Sequence, residues 1–118
     1  MRHAIAILLL VGCAAFIARA EVVRSSVSIT TSTNANVSAN ADVYGVLRRA
    51  VITVSGGTST VSIADSDGTA IMSTNDLVGS YTWTGTAYTA RPVVTTTNST
   101  RAVSNVACTV SVVFTEER

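Results

Sequence analysis

The stretch VACTVSVVFT, residues 106–115, decides the fold class. Val106, Cys108, Val110, Val112 and Phe114 fall on one parity, while Ala107, Thr109, Ser111, Val113 and Thr115 fall on the other. Successive side chains of a strand point to opposite faces, so an apolar row at period two defines a strand with one buried face. Cys108 stands in that row and reads as a buried small hydrophobe. Upstream, Val27 and Ile29 alternate with Ser26 and Ser28 in the same manner, which predicts a half-buried strand over Val22 to Ile29.

Between these two strands the chain is punctuated by turn residues. Val43 to Val54 is apolar, with Val46, Ala50, Ile52 and Val54 on one parity, but Arg48 shares it. A charged residue on the buried row predicts a bulge or a strand break near Gly45 to Arg49. Ser55-Gly56-Gly57 reads as a hairpin turn, because glycine tolerates the positive φ of a tight reversal. Val61 and Ile63 continue as a strand, Asp65-Ser66-Asp67-Gly68 reads as a second turn, and Thr69 to Ser73 as a short return strand. Asn75 to Gly79 is expected as a loop, followed by a strand carrying Tyr81 and Trp83. Gly85 to Pro92 is expected at an edge or turn, since proline lacks an amide hydrogen. Thr30 to Asp42 reads as a loop or a flat strand of weak register, and Val93 to Arg101 as a polar, Thr-rich connection. Short strands spaced by turns predict an all-β chain, a single antiparallel β-sandwich of jelly-roll or Ig-like type over residues 21–118.

Residues 1–20 stand apart. Arg2 and His3 precede an apolar run from Ala4 to Ala18, and Ala18-Arg19-Ala20 matches the small-x-small pattern of a signal peptidase site. Leu10-Val11-Gly12-Cys13 also resembles a lipobox, which would make Cys13 a lipidation site. A retained hydrophobic N-terminal helix is the third reading, and it makes this segment the only membrane contact the chain offers. Cleavage implies export to the periplasm, cell surface or exterior.

Past Ala20 there is no histidine, lysine or glutamine and one cysteine, and roughly a third of the residues are serine or threonine. Imidazole is the usual general base at neutral pH and a lysine amine the usual Schiff-base nucleophile, so most catalytic chemistry is removed and no enzyme is expected. Six arginines face seven acids past Ala20. No basic surface tracks phosphates, so nucleic acid is not an expected partner. No cofactor or metal site is expected. Asp65 and Asp67 could face calcium, but they lack the further ligands of a calcium loop, and a hairpin turn explains them. Arg48 and Arg49 are candidates for gripping an anionic partner or a neighbouring subunit. Tyr81, Trp83 and Tyr88 are the one concentration of aromatics, suited to a core, a subunit contact or a glycan-stacking platform.

From about Val43 to Phe114 the chain resembles a group of small β-sandwich proteins of phages and prophages. The resemblance runs through Gly45-Val46-Leu47, the strand–turn–return Val61 to Thr69, Leu77 with Gly79, Tyr88 to Pro92 and the terminal alternating strand. It implies a virion-associated building block (capsid decoration, fibre or head accessory) that assembles with copies of itself or with a capsid lattice. The competing expectation is an exported or lipid-anchored surface module that recognises glycans.

Overall fold

The computed structural model describes residues 21–100 and 107–118. The leader readings of residues 1–20, including Cys13, and the start of the last strand at Val106 lie outside the described residues. Six strands follow one another: β1 (Val22–Thr31), β2 (Asn36–Asn40), β3 (Tyr44–Ala64), β4 (Ala70–Ala90), β5 (Val93–Asn98) and β6 (Cys108–Glu117). All pair antiparallel, in the order β1-β6-β3-β5-β2, with β4 on the other edge of β3. The all-β, antiparallel expectation holds. In place of the two separate sheets of a sandwich, the strands form one continuous, curled sheet.

The alternating stretch near the C-terminal end is β6, with Cys108, Val110, Val112 and Phe114 each at most 1% exposed. It lies between β1 and the first half of β3, pairing Ile52 with Val112 and Ala50 with Phe114. The second half of β3 takes a different partner on the same edge: β6 ends at the Ser55–Thr109 pair and β5 begins at Ser59–Asn98. One strand therefore serves two neighbours in succession.

This arrangement corrects the reading of Ser55-Gly56-Gly57 as a hairpin turn. The chain does not reverse there; it bends. Between the pairs Val54–Gly79 and Ser59–Leu77, residues 55–58 of β3 stand opposite Val78 alone. The buried row accordingly switches from Ala50, Ile52 and Val54 to Ser59, Val61 and Ile63. Gly56 has φ +87°, and a Cβ there would lie 2.6 Å from the Ala107 carbonyl oxygen. Ser99 N–H donates to the Thr58 carbonyl at 3.0 Å, and Thr58 N–H donates to Thr100 Oγ1 at 3.0 Å. The hand-over thus keeps its backbone groups satisfied.

Of the bulge or strand break expected near Gly45 to Arg49, the structure has the bulge. Relative to β6, Arg48 is the extra residue between the pairs Leu47–Glu116 and Arg49–Thr115. The extra residue moves Leu47 onto the buried row and Arg48 off it. The Asp65–Thr69 turn also forms as read: Gly68 N–H donates to the Asp65 carbonyl at 2.9 Å and Asp65 N–H to the Thr69 carbonyl at 2.8 Å. Two segments expected as connections are strand instead: Val93–Asn98 forms β5, and Asn75 to Gly79 lies within β4. β5 pairs with Asn36–Asn40, which takes the strand alternative of the Thr30 to Asp42 reading. In β5, Val94, Thr96 and Asn98 are buried on one parity, so threonine supplies part of the core row that the sequence reading reserved for apolar residues.

The curl brings the far ends of the β3–β4 pair together. Tyr44 pairs with Ala90 at one end of β3 and Ala64 with Ala70 at the other. Yet Asp65, at the tip, accepts bonds from Thr89 Oγ1 at 2.6 Å and Ala90 N at 3.2 Å. The enclosed core runs from Leu47, Ile52 and Val54 through Val61, Ile63 and Val94 to Val110, Val112 and Phe114.

The bend makes a testable demand on glycine. Gly56→Ala is expected to cost about 1–3 kcal/mol in urea unfolding, because its Cβ meets backbone and its φ is left-handed. Gly68→Ala has open space and should lose only about 1 kcal/mol through φ.

Candidate functional site

One edge of the sheet and the cleft beside it are carried by β4. This strand is mostly exposed along its length, with Thr89 its one buried residue. Among the described residues only β3 pairs with it. It contains no lysine and no proline, and its one charged residue is Asp76. Asp76 and Gly79, at φ +47° and +79°, kink β4 opposite the bend in β3 and divide the edge into two runs. Exposed apolar surface along it comes from Val78, Tyr81 and Tyr88.

The candidate aromatics do not form one platform. Tyr81 and Trp83 share the row that pairs with Ile52 and Ala50, as their spacing predicts. Trp83 packs against the core, whereas Tyr81 is 44% exposed. Tyr88 follows an irregularity at Gly85 and Thr86, pairs with Val46 and is 80% exposed. Trp83 and Tyr88 come together with Asp65, Asp67 and Thr86 along a cleft of about 470 Å³; Tyr81 is not among its lining residues. The curl creates this cleft, since it sets the β3–β4 tip beside the second half of β4.

The two arginines are also separated in role. Arg48, pushed out by the bulge, donates from Nη1 to Thr86 Oγ1 at 2.8 Å and from Nη2 to Glu117 Oε2 at 3.2 Å. It ties β4 to β6 across β3. Arg49 is exposed, between the Thr84 and Thr115 neighbours.

The Thr89 hydroxyl, then the Ser66 and Ala90 amides, hold the Asp65 carboxyl below its ordinary pKa, against a smaller opposing effect of burial. Burial pushes the Cys108 thiol up, consistent with an inert core residue. No group of three or more His, Cys, Asp or Glu that could hold a metal ion occurs among the described residues.

Sequence reasoning overlooked Glu116. It is fully buried and continues the row of Val112 and Phe114, so the period-two pattern already pointed to it. Its Oε2 accepts from Tyr44 N at 2.8 Å, and its Oε1 accepts from Arg118 Nε and Nη2 at 3.1 and 2.9 Å. The Arg118 guanidinium also lies 5.6 Å over the Tyr44 ring. These contacts join the start of β3 to the end of β6, a structural role.

No protein-family model matches the chain. No curated protein matches it either. A structural likeness is found to a chain of the acid-stable capsid of the Helicobacter pylori bacteriophage KHP30, with a TM-score of 0.50 and 14% identity. The match covers 82% of this chain and 90% of that one, so the two are of nearly equal length. At this identity the likeness concerns the fold: an all-β scaffold also found in a phage capsid.

Two outcomes follow from the ionic contacts. Because the folded pKa of Asp65 is lowered, its contribution is present above 3.8 and is lost as pH falls through the folded value. Urea midpoints measured at neutral pH and below about pH 3 should therefore drop further for the native chain than for Asp65→Asn. Separately, Glu116→Gln is expected to lose about 1–3 kcal/mol by removing a buried charged acceptor. Glu117→Gln, on a half-exposed surface pair, should lose less than about 1 kcal/mol in the same assay.

Proposed function

We propose that the chain is a non-enzymatic structural protein that works by assembly, as a virion-associated component of the decoration, fibre or head-accessory kind. The observation that carries this reading is the free edge of β4. An edge strand presents unpaired N–H and C=O groups in a row, and lysine, proline or a covering element normally blunts it. β4 has neither lysine nor proline, and its second run, 80–90, continues past the kink with exposed Tyr81 and Tyr88. Pairing with a second copy or with a lattice subunit would satisfy these backbone groups and cover the exposed side chains together.

The likeness to a phage capsid chain of similar length supports a virion setting. The chemistry of the described residues supports a role of shape and contact. Cys108 is buried, and Asp65, Asp67, Glu116 and Glu117 are engaged in turns, a buried ion pair and a surface pair.

Static light scattering of the chain at micromolar concentration tests the proposal. The expected result is a mass above that of a monomer. Ser80→Lys with Thr82→Lys, both on exposed positions of β4, should return the chain to a monomer with an unchanged circular dichroism spectrum. A monomer at every concentration, or assembly indifferent to these lysines, would contradict edge pairing.

A further inference from the structure

We propose that the cleft between the β3–β4 tip and the second half of β4 binds a neutral saccharide. This goes beyond assembly: the cleft lies beside the outward edge and shares Tyr88 with it. The volume, about 470 Å³, lies within the roughly 300–1,000 Å³ typical of small-molecule sites.

The cleft has a fixed apolar wall. Trp83 lines it, and a Cβ at Gly85 would lie 2.8 Å from Cζ2 and 3.2 Å from Cη2 of that ring. The absence of a side chain at Gly85 lets the indole lie across the backbone two residues on, while contact with the core limits its movement. Ile71 and Ala87 extend this wall. A flat, immobilised aromatic surface stacks on the C–H face of a pyranose ring at little cost in side-chain entropy.

The polar groups are of mixed kind. Thr86 Oγ1 already accepts from Arg48, so its proton remains to donate to a ligand. Asp67 Oδ1 accepts from Thr69 N at 2.8 Å, and Oδ2 has no hydrogen-bond partner among the described residues, so it remains an acceptor. Asp65 adds an anion fixed by the Thr89 hydroxyl and the Ala90 amide. Tyr88 supplies a phenol that donates and accepts.

This set selects among ligands. No cationic side chain lines the cleft, and the two carboxylates repel phosphates and acidic sugars. A guanidinium or ammonium group only donates, so it would engage the carboxylates but form no bond with the Thr86 and Tyr88 protons, which would stay with water. Sugar hydroxyls both donate and accept, and they satisfy all four polar residues. The sequence-level candidate set thus changes: Tyr81 leaves, and Asp65, Asp67 and Thr86 join Trp83 and Tyr88.

Trp83 is the only tryptophan of the chain and reports on the site directly. Its fluorescence is to be titrated with a panel of neutral oligosaccharides, with a sialylated oligosaccharide and an arginine-rich peptide as comparison ligands. The expected result is a saturable change with at least one neutral saccharide. That affinity should weaken about tenfold or more in Tyr88→Ala and in Asp67→Asn, whose circular dichroism stays native. No saturable change with any neutral saccharide through the millimolar range would overturn the proposal. So would binding indifferent to both variants, or a response confined to the sialylated ligand or the peptide. The Ser80→Lys, Thr82→Lys chain should bind as the native chain does, which keeps this test separate from that of assembly.

Discussion

The shape of this molecule follows from one edge of β3 being shared by two strands. β6 occupies it from Val46 to Ser55 and β5 from Ser59 to Ala64. Were β3 a straight, regular strand, Ile52 and Val54 would face one side of the sheet and Val61 and Ile63 the other. The irregular bend at residues 55–58 brings both rows to the same side, so that Ile52 and Val54 join Val61 and Ile63 in one core. Burial of that row is the main favourable term, roughly 25 cal/mol for each Å² of apolar surface removed from water. Gly56 relieves the steric cost of the bend, and Ser99 and Thr100 relieve its hydrogen-bonding cost.

Much of this was legible in the sequence where the signal is local. The alternation of β6, the bulge that displaces Arg48 and the Asp65–Gly68 turn each follow from side chains a few residues apart. What escaped depends on distant partners. A glycine pair permits a reversal and a bend equally well; the presence of β5, some forty residues on, selects the bend at Gly56-Gly57. The same holds for Val93–Asn98, whose threonines look solvated until the curl supplies a core for Thr96 and Asn98. Glu116 is the reverse case. Its parity was plain, but a carboxylate on a buried row becomes intelligible only once Arg118 and the Tyr44 amide lie beside it.

The candidate surfaces divide along the same line. Composition already directed attention to Trp83 and Tyr88 as aromatics and to Arg48 as a misplaced charge. It could not bring Asp65 and Asp67 to the aromatics, because the tip of a straight hairpin lies far from the end of its return strand. The curl therefore accounts for both the core and the cleft. It leaves β4 as a long strand paired on one side only, by β3, and this edge is what an assembling neighbour would meet.

The curl is best tested by nuclear Overhauser contacts in the folded chain. The account predicts cross-peaks linking Asp65 to Thr89 and Ala90 in the same molecules that show the Tyr44–Ala90 and Ala64–Ala70 strand pairs. In a straight hairpin of the same register, the tip and the far end would lie about 65 Å apart, at roughly 3.3 Å per residue. Strand pairs of that register without any contact between Asp65 and the Thr89–Ala90 segment would contradict it.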